Sequence, residues 1–317
     1  MSDTSLNKIE SAEQSVADTS PANDGKGLKL LKGLQLIMLL GFFAVGILAT
    51  GGVAYGIKSV PGIGERESLL ISSALQCLLA FCLPAYLTAR FSVRDPLQWL
   101  GLKKAPTLRA LCGVVIVYIL ALPAMNQIIS WNESITFPEG MRSLEESLRA
   151  SENAARTISE SILSSMGLWS MLAAVAIVGF LTGFSEEMFF RGGLQKSLTM
   201  PGRHTLAVWA AAIVFSAVHF QFFGFVPRML MGAFFGYLLV WTGSLWVPVF
   251  AHALNNSVVV VSYYIIRIES GLPNLDTLGV SQSGEMPWDA LTSAAATFIF
   301  LWKFRGYFFN SNCTLKA

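Results

Sequence analysis

Three ionisable side chains, Glu186, Glu187 and Arg191 in GFSEEMFFRGG, directly follow the apolar run 166–184. A carboxylate or guanidinium at the centre of a membrane helix costs about 2.5 to 3.5 kcal/mol on insertion scales, so three together cost roughly 8 to 10. Only a bundle that supplies partners can hold them, and a chain keeps them there only for a use. The setting is a membrane. Of 317 residues, 53% are hydrophobic and 13% charged, with mean hydropathy +0.56, more apolar side chain than one soluble core of this length would hide. A net charge of +2 provides no basic field for nucleic acid. Cys77, Cys82 and Cys112 lie in apolar runs and Cys313 near the end, which is no disulfide framework; they read as small apolar fillers.

With about 20 apolar residues to a crossing, the sequence predicts an all-α polytopic membrane protein of eight helices at 34–57, 69–88, 110–131, 166–189, 205–223, 227–243, 245–266 and 288–303. The expected organisation is a disordered cytoplasmic tail over 1–30, a transmembrane domain over 31–305 whose buried ionisable residues fall at about 166–260, and a second cytoplasmic tail over 306–317. The first apolar run is too long and starts too far from Met1 to be a cleavable leader. On this scheme 15 of the 22 Lys and Arg residues fall on the amino-terminal side and 7 on the other. That bias predicts a multi-pass protein of the cell inner membrane with both termini cytoplasmic.

Between the third and fourth crossings, the stretch 132–165 carries Glu145, Glu146, Arg149, Glu152 and Arg156 at helical spacing, with Met141, Leu144, Leu148 and Ile158 between them. This is the pattern of an amphipathic outer helix, either a cover for the bundle or a lid. Gly232 and Gly236 form a G-x-x-x-G that permits close helix packing.

Glu187 and Arg191 are four apart and can pair on one helix face. Glu186 points about 100° away, which makes it the carboxylate left for general-base work. His219, late in AAIVFSAVHFQFF, and His252, in VPVFAHALNNS, are the other candidates; His204 follows a basic turn and reads as exposed. His252 and Asn256 share a helix face, so imidazole and carboxamide can converge as two donors to an oxyanion. The chain lacks a G-x-S-x-G elbow and an H-E-x-x-H motif, and nothing orients a base toward Ser185. No cofactor is expected, but two histidines and a glutamate could also hold zinc. A transporter or proton relay, or a silent binding protein, would use buried Glu, His and Arg as well.

Taken in order, E-E-x-x-x-R (Glu186, Glu187, Arg191), F-x-x-x-H (Phe215, His219) and H-x-x-x-N (His252, Asn256) resemble the motif set of the CPBP family, the type II CAAX prenyl proteases and their bacterial relatives linked to bacteriocin processing and immunity. The likeness runs over roughly 166–260, and RGGLQ, TGSLWVPVFAHALNN and the earlier PLQWLGLKK are also family-like. The resemblance implies an eight-helix intramembrane glutamate-type endopeptidase with its catalytic core at about 166–260. By the same resemblance Glu186 and His219 activate water, His252 and Asn256 hold the oxyanion, and Glu187, Arg191 and Phe215 support them. Its partners would be the lipid bilayer and a membrane-embedded or membrane-associated peptide or protein substrate, prenylated or not. One difficulty is depth: His252 sits about 7 residues into its crossing and His219 about 14, roughly 10 Å apart at 1.5 Å per residue.

Overall fold

The computed structural model describes residues 21–163, 167–268, 275–281 and 285–308. Among these residues there is no β-strand, and nine principal helices follow one another: α1 Pro21–Lys58, α2 Glu65–Ser92, α3 Leu108–Glu133, α4 Arg142–Ile162, α5 Leu168–Leu198, α6 His204–Ala217, α7 Phe225–Thr242, α8 Trp246–Ile268 and α9 Trp288–Phe308. All except α4 stand where the sequence predicts a crossing. Six are long and apolar enough to span a bilayer: α1 from Lys26, α2, α3, α5, α7 with its preceding turn, and α8 to Ile266. The expectation of eight crossings is met for these six, and α6 and α9 fall outside that set. The fifth, α6, is a 14-residue apolar helix, and α9 carries Asp289 in its first turn and Arg305 in its last.

Two boundaries differ from expectation. The first helix begins at Pro21, inside the stretch expected to be a disordered tail; residues 1–20 and 309–317 lie outside the described residues, as does most of the second tail. The fourth crossing was expected to end at 189, yet α5 continues to Leu198 and takes Arg191 into the bundle, where it is 1% exposed. A buried cation with partners has no need of the interface, so the helix does not have to end at the charges. Wide π-helical turns interrupt α5 at Val175–Leu181 and Met188–Gln195, and α2 at Cys77–Cys82. Glu186 and Glu187 lie between the two wide turns of α5 and Arg191 lies within the second, and such turns are frequent at functional sites.

The polar groups that a bent helix frees are satisfied by neighbours, as a membrane interior requires. Pro123 interrupts the backbone ladder of α3. Ser293 of α9 repairs the gap: its hydroxyl donates to the Leu120 carbonyl and accepts from the Ala124 amide. At the opposite end, PLQWLGLKK forms a short helix, Pro96–Leu100, capped by Asp95 and closed by Gly101 in the left-handed conformation (φ 85°). Leu245 and Trp246 donate to the Gly101 and Leu102 carbonyls at 3.0 and 2.9 Å, which fixes this stretch to the α7–α8 turn. The Lys103 ammonium and the Gln98 amide hold the Asp95 carboxyl below the usual carboxylate range.

The amphipathic outer helix is present as α4, and it is fastened to particular neighbours. Arg66 of α2 donates to the Ile162 carbonyl, while Ser151 and Glu152 meet the Phe220 carbonyl and the Phe223 amide at 2.9 and 3.3 Å. Arg149 stacks over the Phe223 ring at 4.1 Å. Asn132, at the end of α3, grips the same turn by donating to the Phe222 carbonyl and accepting from the Val226 amide. The turn so held begins immediately after His219. The G-x-x-x-G of α7 packs closely as expected, with Gly232 against Ala212 and Phe215 and Gly236 against Val208.

Candidate active site

Glu187 and Arg191 form the expected i,i+4 pair, with Nη1 donating to Oε1 at 2.6 Å and both side chains almost fully buried. The second arm of Arg191 donates to the Gly232 carbonyl at 2.9 Å, and its guanidinium lies over the Phe215 and Phe235 rings at 4.5 and 5.3 Å. Burying an unpaired guanidinium is prohibitive. This one is neutralised, hydrogen-bonded on both arms and faced by aromatic rings.

The same Glu187 oxygen accepts from Nδ1 of His252 at 2.8 Å. An ionised carboxylate can only accept, so the proton of that bond sits on Nδ1 and the tautomer is set. His252 is further held by Phe235, stacked at 5.1 Å, and by the edge of Phe215 at 5.8 Å. Its Nε2 then faces Glu186, 3.8 Å from Oε2. That separation is ion-pair range and too long for a direct hydrogen bond. Glu186 points into the bundle away from the Glu187–Arg191 pair, as the helix geometry predicts, and its carboxylate makes no hydrogen bond among the described residues. Contact between α5 and α8 here depends on Gly183, since a Cβ on it would stand 3.0 Å from the Ala253 backbone nitrogen.

His219 lies just beyond α6. Its Nδ1 is 2.8 Å from the Phe215 carbonyl and must be the donor there, so in the neutral ring Nε2 keeps a lone pair. Phe215 is the element that joins the two histidines: its ring meets both edge-on, at 5.2 Å for His219 and 5.8 Å for His252. Because α6 ends at Ala217, His219 is delivered from the turn after it, and both imidazoles reach the Phe215 ring.

Asn256 departs from simple convergence. Its Nδ2 donates to the Val178 carbonyl at 3.1 Å, a group in the first π segment of α5, and its Oδ1 accepts from Asn255. One amide hydrogen therefore remains for a ligand. Ser185 is buried and donates to the Thr182 carbonyl at 3.1 Å, which turns it from any nucleophilic role. Two neighbours escaped the sequence reading. Cys77 of α2, taken for filler, lies 3.6 Å from Thr182 Oγ1 and within electrostatic reach of Glu186; its apolar surroundings gave no signal. Arg228 of α7 lies within electrostatic reach of Glu186 and His219, and it belongs to none of the motifs that singled out the other residues. Among the described residues no three of His, Cys, Asp and Glu are disposed around one metal position.

The arrangement offers one free carboxylate, one imidazole with an available lone pair and a second imidazole backed by a buried carboxylate. Residues 168–258 match the family model described as Type II CAAX prenyl endopeptidase Rce1-like, which is the resemblance that the ordered motifs carry. All seven site residues fall inside that segment, which is less than a third of the chain. The uncharacterized protein YpbD of Bacillus subtilis (strain 168) is 31% identical over 88 residues, covering 26% of this chain and 42% of that protein. The chain thus aligns with less than half the length of this curated relative. No solved structure matches.

Proposed function

We propose that this polytopic membrane protein, Rce1-like over residues 168–258, is an intramembrane endopeptidase that hydrolyses a peptide bond of a membrane-embedded or membrane-associated substrate with water activated by Glu186. The observation that carries the reading is the division of labour between adjacent acids: Glu187 is consumed by Arg191 and His252, while Glu186 is left without a hydrogen bond 3.8 Å from the second imidazole nitrogen. In the proposed reaction Glu186 takes a proton from water, His219 Nε2 accepts from the same water and orients it, and the hydroxide adds to the peptide carbonyl. The oxyanion is met by the free amide hydrogen of Asn256 and by His252. Because Nδ1–H of His252 is committed to Glu187, its Nε2 donates only as imidazolium, the form that a buried carboxylate at Nδ1 stabilises. Collapse expels the amine, which takes the proton held by Glu186.

The assignment involves no metal, so activity persists in the presence of a chelator. Both termini are assigned to the cytoplasmic side of the inner membrane, as the distribution of Lys and Arg indicates. The experiment is a comparison of new protein termini in membrane fractions from cells carrying wild type or Glu186→Gln. Termini that vanish in the variant while the protein stays inserted at normal level support peptidase action. An unchanged terminus profile ends it.

A further inference from the structure

Arg228 is a half-buried cation with unfinished bonding. Its Nη2 donates to Gln221 Oε1 at 2.6 Å, while the buried Nη1 has no hydrogen-bond partner and no carboxylate lies within 4.0 Å of the guanidinium among the described residues. The group is positioned deliberately. It lies against Gly224, where a Cβ would stand 3.0 Å from Nη2 and 3.5 Å from Nη1, so a larger residue there would push the guanidinium aside by a few tenths of an ångström. Gln221 and Gly224 belong to the turn that follows His219 and is clamped by Ser151, Glu152 and Asn132. Glu186, Glu152 and His219 all lie within electrostatic reach of Arg228. Those two carboxylates act on its charge from a distance and leave Nη1 without an acceptor, and a neutral carbonyl would satisfy that donor without any gain from the charge. A carboxylate satisfies both, and the planar fork favours it over other acceptors.

We propose that Arg228, steadied by Gln221 and Gly224, is a specificity-determining residue that binds a carboxylate of the substrate peptide beside the scissile bond, supplied by the chain terminus or by an Asp or Glu side chain. This rests on the peptidase reading. The contact is made before the chemistry and kept through it, so its loss weakens substrate binding more than turnover.

The test uses purified full-length protein in detergent with three synthetic peptide libraries: one with free carboxyl termini, the same sequences amidated, and one lacking Asp and Glu. Wild type is expected to cut peptides that share a carboxylate at a fixed distance from the cut. Arg228→Gln raises KM for them at least tenfold with kcat within threefold, and Arg228→Lys falls between. Gly224→Ala, which keeps the cation and moves it, shifts KM the same way and serves if Arg228→Gln does not fold. Loss of cleavage on amidation assigns the carboxylate to the terminus, and loss only in the acid-free library assigns it to a side chain. Unaltered KM and preference in both Arg228→Gln and Gly224→Ala, or cut peptides with no shared carboxylate, overturn the inference alone. Wild type no more active than Glu186→Gln on every library overturns the peptidase reading and the inference with it.

Discussion

Two arginines in one bundle show how differently a buried cation can be kept. Arg191 has a carboxylate, a backbone carbonyl and two aromatic faces, and both arms are used. Arg228, one helix away in space, has a single hydrogen bond to an amide. The first region is the more nearly closed: Glu187 Oε1, Arg191, His252 and the Gly232 carbonyl bond one another, and Glu187 Oε2 is left without a hydrogen bond. The second is open, built on a turn held by the outer helix rather than on a helix interior. Closed networks position catalytic groups, and open ones wait for something to bind.

The comparison can be broken most sharply at the adjacent glutamates. Glu186→Gln should lower cleavage by about 10² to 10⁴-fold, the usual contribution of a general base, with thermal stability in detergent unchanged. Equal losses of activity and stability would place Glu186 in the closed network instead. Arg191→Met leaves the Glu187 carboxylate buried without its cation and should cost about 3 to 5 kcal/mol of stability, read by denaturation in detergent. Arg228→Gln should leave that stability unchanged, and an equal loss at both arginines would erase the distinction drawn here. Ser293→Ala strands the Leu120 carbonyl and the Ala124 amide beside Pro123 and should cost about 1 to 3 kcal/mol, far from either arginine and without effect on KM.

The smallest effect concerns the outer helix. The Phe137 amide and then Arg149 hold the Glu145 carboxyl below its ordinary value. A depressed carboxylate stabilises above its unfolded pKa, so this contribution is intact at neutral pH and lost only as pH falls through the lower folded value. Hydrogen-exchange protection at 134–142, taken relative to the intrinsic exchange rate at each pH, should therefore fall slightly below about pH 4 and stay flat between pH 6 and 8. The effect is weak because the pair lies at the surface, with 42% of the Arg149 side chain exposed.

Much of this was legible in the sequence where a local period governs the outcome. The Glu187–Arg191 spacing implies their pairing, the alternation of charge and apolar residues in 132–165 implies α4, and the order of three motifs implies one site. What stayed hidden depends on packing across the bundle. Nothing local shows that α5 widens at Val175–Leu181 and so presents the Val178 carbonyl to Asn256, or that α5 runs on to Leu198 because Arg191 finds partners inside. His252 reads as an oxyanion donor from its distance to Asn256, yet its first partner is Glu187, 65 positions earlier in the chain. Arg228 carries no local signal, because a single arginine near the start of an apolar helix belongs to no motif and its approach to His219 is made only by the turn between α6 and α7.

The most direct measurement is cleavage by purified protein reconstituted in vesicles with a membrane-protein fraction, in the presence of a chelator, with the new termini identified for wild type, Glu186→Gln and Arg228→Gln side by side. The account predicts discrete new termini with wild type, none with Glu186→Gln, and fewer, at lower rate, with Arg228→Gln. Wild-type termini that persist in full with Glu186→Gln would contradict it.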